Sequence, residues 1–295
     1  MYFSNKKLRV LSRITFKSAM KLSHQLDLCF GTADEITMPV KAIFIEGGFH
    51  YHIAKQEIEA EVDMNRESIK RHFNTLMHCF PIVGSIIYRV YFLPQFKFNT
   101  KSIRGNNKTQ INHAIFDGVK ITINGLNNKI VVNDLAILNC VYINISGNNN
   151  TINIDKFCRI SETTLWIEDD GCAIAIGSET TIGGAHIAAT ENYSRITIGK
   201  DCMFAQDIEI RTGDSHAIYD NNNKRINKAE NVYIGDHVWI GTKAIILKGA
   251  IIGNGSIIAS GSVLTKNKYT NNCIVAGNPA RTVKEESSWT RSRNI

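Results

Sequence analysis

Over residues 232–265, VYIGDHVWIGTKAIILKGAIIGNGSIIASGSVLT, an aliphatic returns at every sixth position: Ile234, Ile240, Ile246, Ile252, Ile258 and Leu264. Two residues ahead of each stands a smaller one: Val232, Val238, Ala244, Ala250, Ser256 and Ser262. Just after come Gly235, Gly241, Leu247, Gly253, Ala259 and Thr265. A period of six is neither the 3.6 of an amphipathic helix nor the 2 of a long strand. It predicts a repeated short strand plus turn, with the aliphatic inward, a small residue at the corner and polar residues outside.

Upstream, from about residue 101, the pattern loosens. Gly105-Asn106-Asn107, Gly125-Leu126-Asn127-Asn128 and Gly147-Asn148-Asn149-Asn150 recur at 20 to 22 residues, each followed by alternating aliphatics such as Ile130 and Val132 or Ile152 and Ile154. Asn and Gly tolerate the left-handed backbone of a tight corner, and stacked Asn side chains hydrogen-bond between coils. These segments read as irregular coils of the same solenoid, with a plain antiparallel β-sandwich as the alternative. The six-count firms at Ile176, Ile182 and Ala188, slips across 190–195, and restarts at Ile198, Phe204 and Ile210. That slip predicts a small loop leaving the prism.

Residues 1–98 break from this pattern. A basic run with a partial helical stripe occupies 1–30, and KAIFIEGGFHYHI at 41–53 reads as strand, turn and strand. The segment 55–80 has helical spacing and stops before Pro81. Together they predict a mixed α/β cap over 1–98, ahead of a β-helix domain over 99–285 and a polar tail over 286–295. His50, His52, His72 and His78 stand at no diagnostic metal spacing.

The chemistry lies just before the regular repeats. Asp214-Ser215-His216 opens the polar excursion AIYDNNNKRINKAE, after which IGDHVWIG resumes the count. These elements, with six in-register repeats, resemble the hexapeptide-repeat acyltransferases, and within them the acetyl-CoA-dependent O-acetyltransferases of sugars and bacterial surface polysaccharides. The resemblance covers the β-helix and not residues 1–98. It implies an all-β solenoid, a left-handed parallel β-helix with three short strands per triangular coil, behind the N-terminal α/β cap. It also implies a homotrimer with acetyl-CoA in a cleft between neighbouring prisms.

The same resemblance assigns roles. His216 stands where the family places its general base, in direct transfer without an acyl-enzyme, and the unperturbed pKa of histidine suits that task. Asp214 is expected to orient that ring or to cap the turn, and the two form the catalytic set. Trp239, in the VWIG element, with Ser215 and His186, is expected on the acceptor side; an outward Trp stacks on a sugar ring. The amide of Gly241 is a candidate oxyanion donor. Gly241, Thr242, Ser260 and Gly261 match positions along the pantetheine arm. Thr265 and Lys266 match the adenosine end, and Arg281, in NPAR, and Lys284 match phosphate-binding cations. No G-x-S-x-G elbow accompanies Ser215, so a hydrolase triad does not fit. His186, His216 and His237 are the only nominees for the metal site of γ-class carbonic anhydrases, which share the fold. Their spacing does not match, and no metal is expected.

Composition narrows the partners. The 295 residues are 43% hydrophobic with a formal charge of +7, which favours anionic partners: an acidic glycan, phosphates or a membrane surface. No motif that reads a nucleic-acid groove is present. The seven cysteines are odd in number and scattered without a CxxC pair, which fits a reducing, cytoplasmic setting. Ile82–Leu93 is too short to span a bilayer, and the basic N-terminus leaves peripheral association with the inner membrane face open. The expected function is O-acetylation of a capsule or O-antigen polysaccharide. The alternatives are N-acetylation of a nucleotide-linked amino sugar and a non-catalytic glycan-binding solenoid.

Overall fold

The structure, a computed structural model, describes residues 99–292. The cap expected over 1–98, with its basic helix, hairpin, helix and four histidines, lies outside the described residues.

The described chain winds as a parallel β-solenoid of eight coils with one strand of each coil on each of three sheets. The first sheet runs from Thr100–Arg104 to Val263–Leu264, the second from Lys108–Ile111 to Lys268–Tyr269, and the third from Ile115–Asp117 to Ile274–Gly277. All pairings between coils are parallel, which removes the β-sandwich alternative. Among the described strands the one antiparallel partner is Ala280–Lys284, which folds back on Ile274–Gly277 and ends the third sheet.

Six-residue spacing produces this shape because each side of the triangle turns two side chains inward. The aliphatic row fills the axis: Ile234, Ile240, Ile246, Ile252, Ile258 and Leu264 are all 2% exposed or less. The smaller row is equally buried, from Val232 to Ser262, and packs where two sides converge and a larger group would not fit. The position between the two rows points outward. There the expectation of polar residues fails, for it holds Tyr233, Trp239, Ile245, Ile251, Ile257 and Val263. β-branched and aromatic residues are the ones that fit a pleated strand, and this band leaves the last coils apolar outside as well as inside.

The upstream coils are longer for a local reason. Lys120 pairs with Tyr142, Tyr142 with Thr164 and Thr164 with His186, steps of 22 residues, whereas Ile245 pairs with Val263, a step of 18. The extra residues widen the corner between the first and second sheets, and side-chain amides close it. Asn107 Oδ1 accepts from Asn128 N at 2.8 Å, Asn128 Oδ1 from Asn150 N at 2.9 Å, and Asn150 Oδ1 from Cys172 N at 2.7 Å. Residues 190–195 belong to this column and do not leave the prism: Tyr193 N donates to Asp170 O, and Asn192 Oδ1 accepts from Asp170 N. The slip in the six-count is thus a wide corner, not a loop. Cys158, Cys172, Cys202 and Cys273 pack in the core. Burial pushes the Cys158 thiol up to about 12 and the Cys202 thiol to about 11, so these groups act as small hydrophobes.

One true excursion departs from the first-to-second corner. It lies between Ile208–Arg211 and Val232–Ile234, and lengthens the coil from Glu209 to Ile245 to 36 residues.

Candidate active site

The excursion opens with a three-residue turn. Ser215 takes a left-handed φ of 64°, and the His216 amide donates to the Asp214 carbonyl at 2.8 Å. The same left-handed backbone recurs at other turns of the described chain, as at Asp201, Asp207 and His237, and is a turning device of this fold. Here it presents His216, which is exposed and whose ring makes no hydrogen bond or ring contact among the described residues.

Asp214 does not hold that ring. Its Oδ2 accepts from Asn227 Nδ2 at 2.9 Å and from the Lys248 ammonium. The Lys248 ammonium beside it, helped by Asn227 against partial burial, keeps the Asp214 carboxyl below the usual carboxylate value. Asn227, which the sequence did not single out, is the buried centre of the excursion. Its amide nitrogen also donates to His216 O at 2.7 Å, and its Oδ1 accepts from Ile218 N at 2.7 Å. On the far side Arg225 Nη2 meets Glu191 Oε1 at 2.6 Å. Buried asparagines inside polar loops carry no periodicity, so only the run of loop residues hinted at this anchor.

Six of the eight residues matched to the coenzyme fall at the two corners that flank the first sheet, and Arg281 and Lys284 lie on the strand that ends the third. Gly241, Thr242, Ser260 and Gly261 stack at the third-to-first corner, where Gly261 N donates to Thr242 O at 2.9 Å. Their glycines differ in purpose. A Cβ on Gly241 would lie 2.6 Å from Ser260 N, so this glycine serves the close approach of the next coil. Its amide already donates to Ile258 O at 2.8 Å, which removes it as an oxyanion donor. Gly261, at φ 71°, faces open space. Thr265 and Lys266 lie at the other end of Val263–Leu264, four residues on, roughly 13 Å along an extended strand. Lys266 Nζ meets Glu230 Oε2 at 2.7 Å at the base of the excursion. Arg281 and Lys284 are exposed on the terminal strand, where Arg281 Nη1 donates to Ala280 O. The flank of the first sheet therefore offers an open glycine corner at one end and an ammonium at the other, a layout that fits an extended thioester arm.

The three other acceptor-side and metal nominees separate. Trp239 points outward on the third sheet, 38% exposed, between Met203 and Ile257. His186 lies on the first sheet with Nδ1 on Glu209 Oε1 at 3.0 Å. His237 sits at the second-to-third corner with Nδ1 on Asp201 Oδ2 at 2.6 Å. Among the described residues no group of three or more metal-ligating side chains converges. Ser215 is exposed beside His216. Thus one chain brings His216 and Lys266 to the same corner and leaves Trp239 on the third sheet, the side of the triangle that faces away from it.

Comparison with known proteins gives the same fold. The model of the bacterial transferase hexapeptide family, described as six repeats, matches residues 231–266. A polysialic acid O-acetyltransferase of Neisseria meningitidis is 38% identical over a match covering 38% of this chain and 62% of that protein. A polysialic acid O-acetyltransferase of Escherichia coli O1:K1 is 42% identical, over 41% of this chain and 39% of that protein. The matches thus span less than two thirds of either curated relative. Among solved structures, the polysialic acid O-acetyltransferase OatWY superposes with a TM-score of 0.64 and 35% identity, covering 66% of this chain and 93% of that one. The polysialic acid-specific acetyltransferase NeuO gives 0.59 and 30%, covering 67% and 84%.

Proposed function

We propose that this chain, which belongs to the hexapeptide-repeat acyltransferase family, O-acetylates a bacterial capsule polysaccharide of the polysialic acid type with acetyl-CoA as donor. The observation that carries the reading is the unpartnered imidazole of His216, held out on a tight turn at the corner where Lys266 also stands. The substrate class comes from the relatives, whose names specify polysialic acid. The net charge of +7 supports it, since cationic protein and a carboxylated polymer attract.

In this reading His216 accepts the proton of a sugar hydroxyl as its oxygen attacks the thioester carbonyl. The new C–O bond forms, the C–S bond breaks, and the imidazolium returns the proton to the departing thiolate. Lys248, Asn227 and Asp214 hold the turn so that the ring keeps its place. Asp214 acts on the backbone that carries the base and not on the base itself. Gly261, Ser260 and Thr242 would line the pantetheine arm, with Thr265 and Lys266 at its adenosine end and Arg281 and Lys284 toward its phosphates.

The separation of His216 from Trp239 favours a homotrimer. If the first-to-second corner of one copy packs against the third sheet of the next, His216 of one chain and Trp239 of its neighbour flank one acceptor. The apolar outward band of the last coils supports burial between copies. Incubation with labelled acetyl-CoA and polysialic acid tests the reading. Label is expected in the polymer as a base-labile ester. Label on an amino sugar nucleotide instead, or none on any glycan, would reject it.

A further inference from the structure

The tail, which the sequence presented only as polar, is docked on the β-helix. Trp289 lies flat on the imidazole of His237, with centroids 4.1 Å apart and planes 9° apart, and its Nε1 donates to His237 O at 2.8 Å. The Trp289 carbonyl lies 3.1 Å from His237 Nε2, so ring and main chain of the two residues are joined twice over. The same indole meets Trp239 at 6.1 Å between centroids and a tilt of 46°, within the range of favourable aromatic pairs.

Two residues on, Arg291 fastens the segment. Its Nε donates to Asp201 Oδ1 at 2.7 Å, Nη1 to Thr181 Oγ1 at 3.0 Å, and Nη2 to Cys202 O at 2.8 Å. Asp201 thereby takes Arg291 on one oxygen and His237 on the other. Partial burial pushes its carboxyl up, but Arg291 and His237 outweigh that and hold it below the usual carboxylate value. With Glu179 O at 3.4 Å from Nη2 as well, a guanidinium with four acceptors on two coils is a fixed contact and not a transient surface pair.

We infer that Trp289 is a positioning residue for Trp239, and that the strap Ser287–Arg291 fixes the outward indole of the third sheet before the acceptor arrives. A tryptophan on the flat outer face of a sheet has several rotamers open to it. The tilted Trp289 occupies the space that some of them need, and a pre-set aromatic loses less freedom when a sugar ring stacks on it. The inference rests on the assignment of Trp239 to the acceptor side.

The full chain has three tryptophans, so nitrogen-15 spectra of the indoles give three resonances, assigned by Trp166→Phe, Trp239→Phe and Trp289→Phe in turn. Trp289→Ala and Arg291→Ala are each expected to move the Trp239 resonance. Each should also raise the KM for polysialic acid by about 2- to 12-fold, the range of one aromatic pair, with the KM for acetyl-CoA unchanged. Trp289→Phe keeps the stack and should recover most of the acceptor KM. A Trp239 resonance unmoved in Trp289→Ala overturns the inference, whatever the turnover. So does a moved resonance with an unchanged acceptor KM. If the resonance moves but the wild-type chain acetylates no polysialic acid, the strap stands and the proposed function fails.

Discussion

Asp214 is paired with Lys248, a residue 34 positions later, and not with the imidazole two residues along. The carboxylate is therefore a fastening for the excursion, joined to the β-helix through a lysine of the next coil. A role on the loop rather than on the ring changes what its loss should do.

Replacement of Lys248 by Met or Asp214 by Asn removes the fastening and leaves His216 untouched. Turnover should fall by about 10- to 100-fold through misplacement of the base, while the pH dependence of kcat keeps its shape because the titrating group is unchanged. A displaced profile in Asp214→Asn would show that Asp214 tunes the imidazole directly.

The same pair sets an acid limit. The folded Asp214 carboxyl lies below its unfolded value, near 3.9. Its contribution to stability is thus complete above that value and lost as pH falls through the lower, folded one. Thermal melts of the wild type and of Asp214→Asn should differ at pH 6 to 7 and draw together as pH falls below the unfolded carboxylate value and through the lower, folded one. A constant difference across that range would contradict the ion pair.

The two glycines of the third-to-first corner should separate stability from binding. Gly241→Ala places a methyl 2.6 Å from a backbone nitrogen of the next coil and should lower the melting temperature sharply or prevent folding. Gly261→Ala meets no atom and costs only its left-handed backbone, about 1–2 kcal/mol. It should fold and bind acetyl-CoA less tightly, as measured by calorimetry. Unchanged affinity would move the coenzyme away from this corner.

Much of the β-helix was legible because burial repeats with the coil. The row from Ile234 to Leu264 and the Asn ladder through Asn107, Asn128 and Asn150 each have a period, and a period is visible in a single sequence. The site was legible only where a motif marked it. Asn227 acts across its own loop, on partners 9 to 13 residues away, and Lys248 and the Trp289–Arg291 strap act through contacts 21 to 112 residues apart set by the stacking of coils; no periodic spacing announces any of them. Residues 190–195 misled for a related reason: a wide corner and a loop differ only in whether the neighbouring coil is equally wide.

If His216 and Trp239 serve one site from two chains, inactive variants should complement. His216→Ala and Trp239→Ala, unfolded and refolded together at equal amounts, should regain up to roughly a quarter of wild-type turnover, the share of random interfaces with both residues intact. No recovery, with mixed oligomers confirmed by mass, would place both groups within one chain or remove Trp239 from the reaction.

The most direct test is His216→Ala assayed on polysialic acid with acetyl-CoA, beside a binding isotherm for the coenzyme. Transfer is expected to fall by at least about 10²–10⁴-fold, the worth of a positioned general base, with acetyl-CoA affinity and the melting curve unchanged. Turnover equal to that of the wild type would contradict the account, because the proton of the attacking hydroxyl would then have another destination.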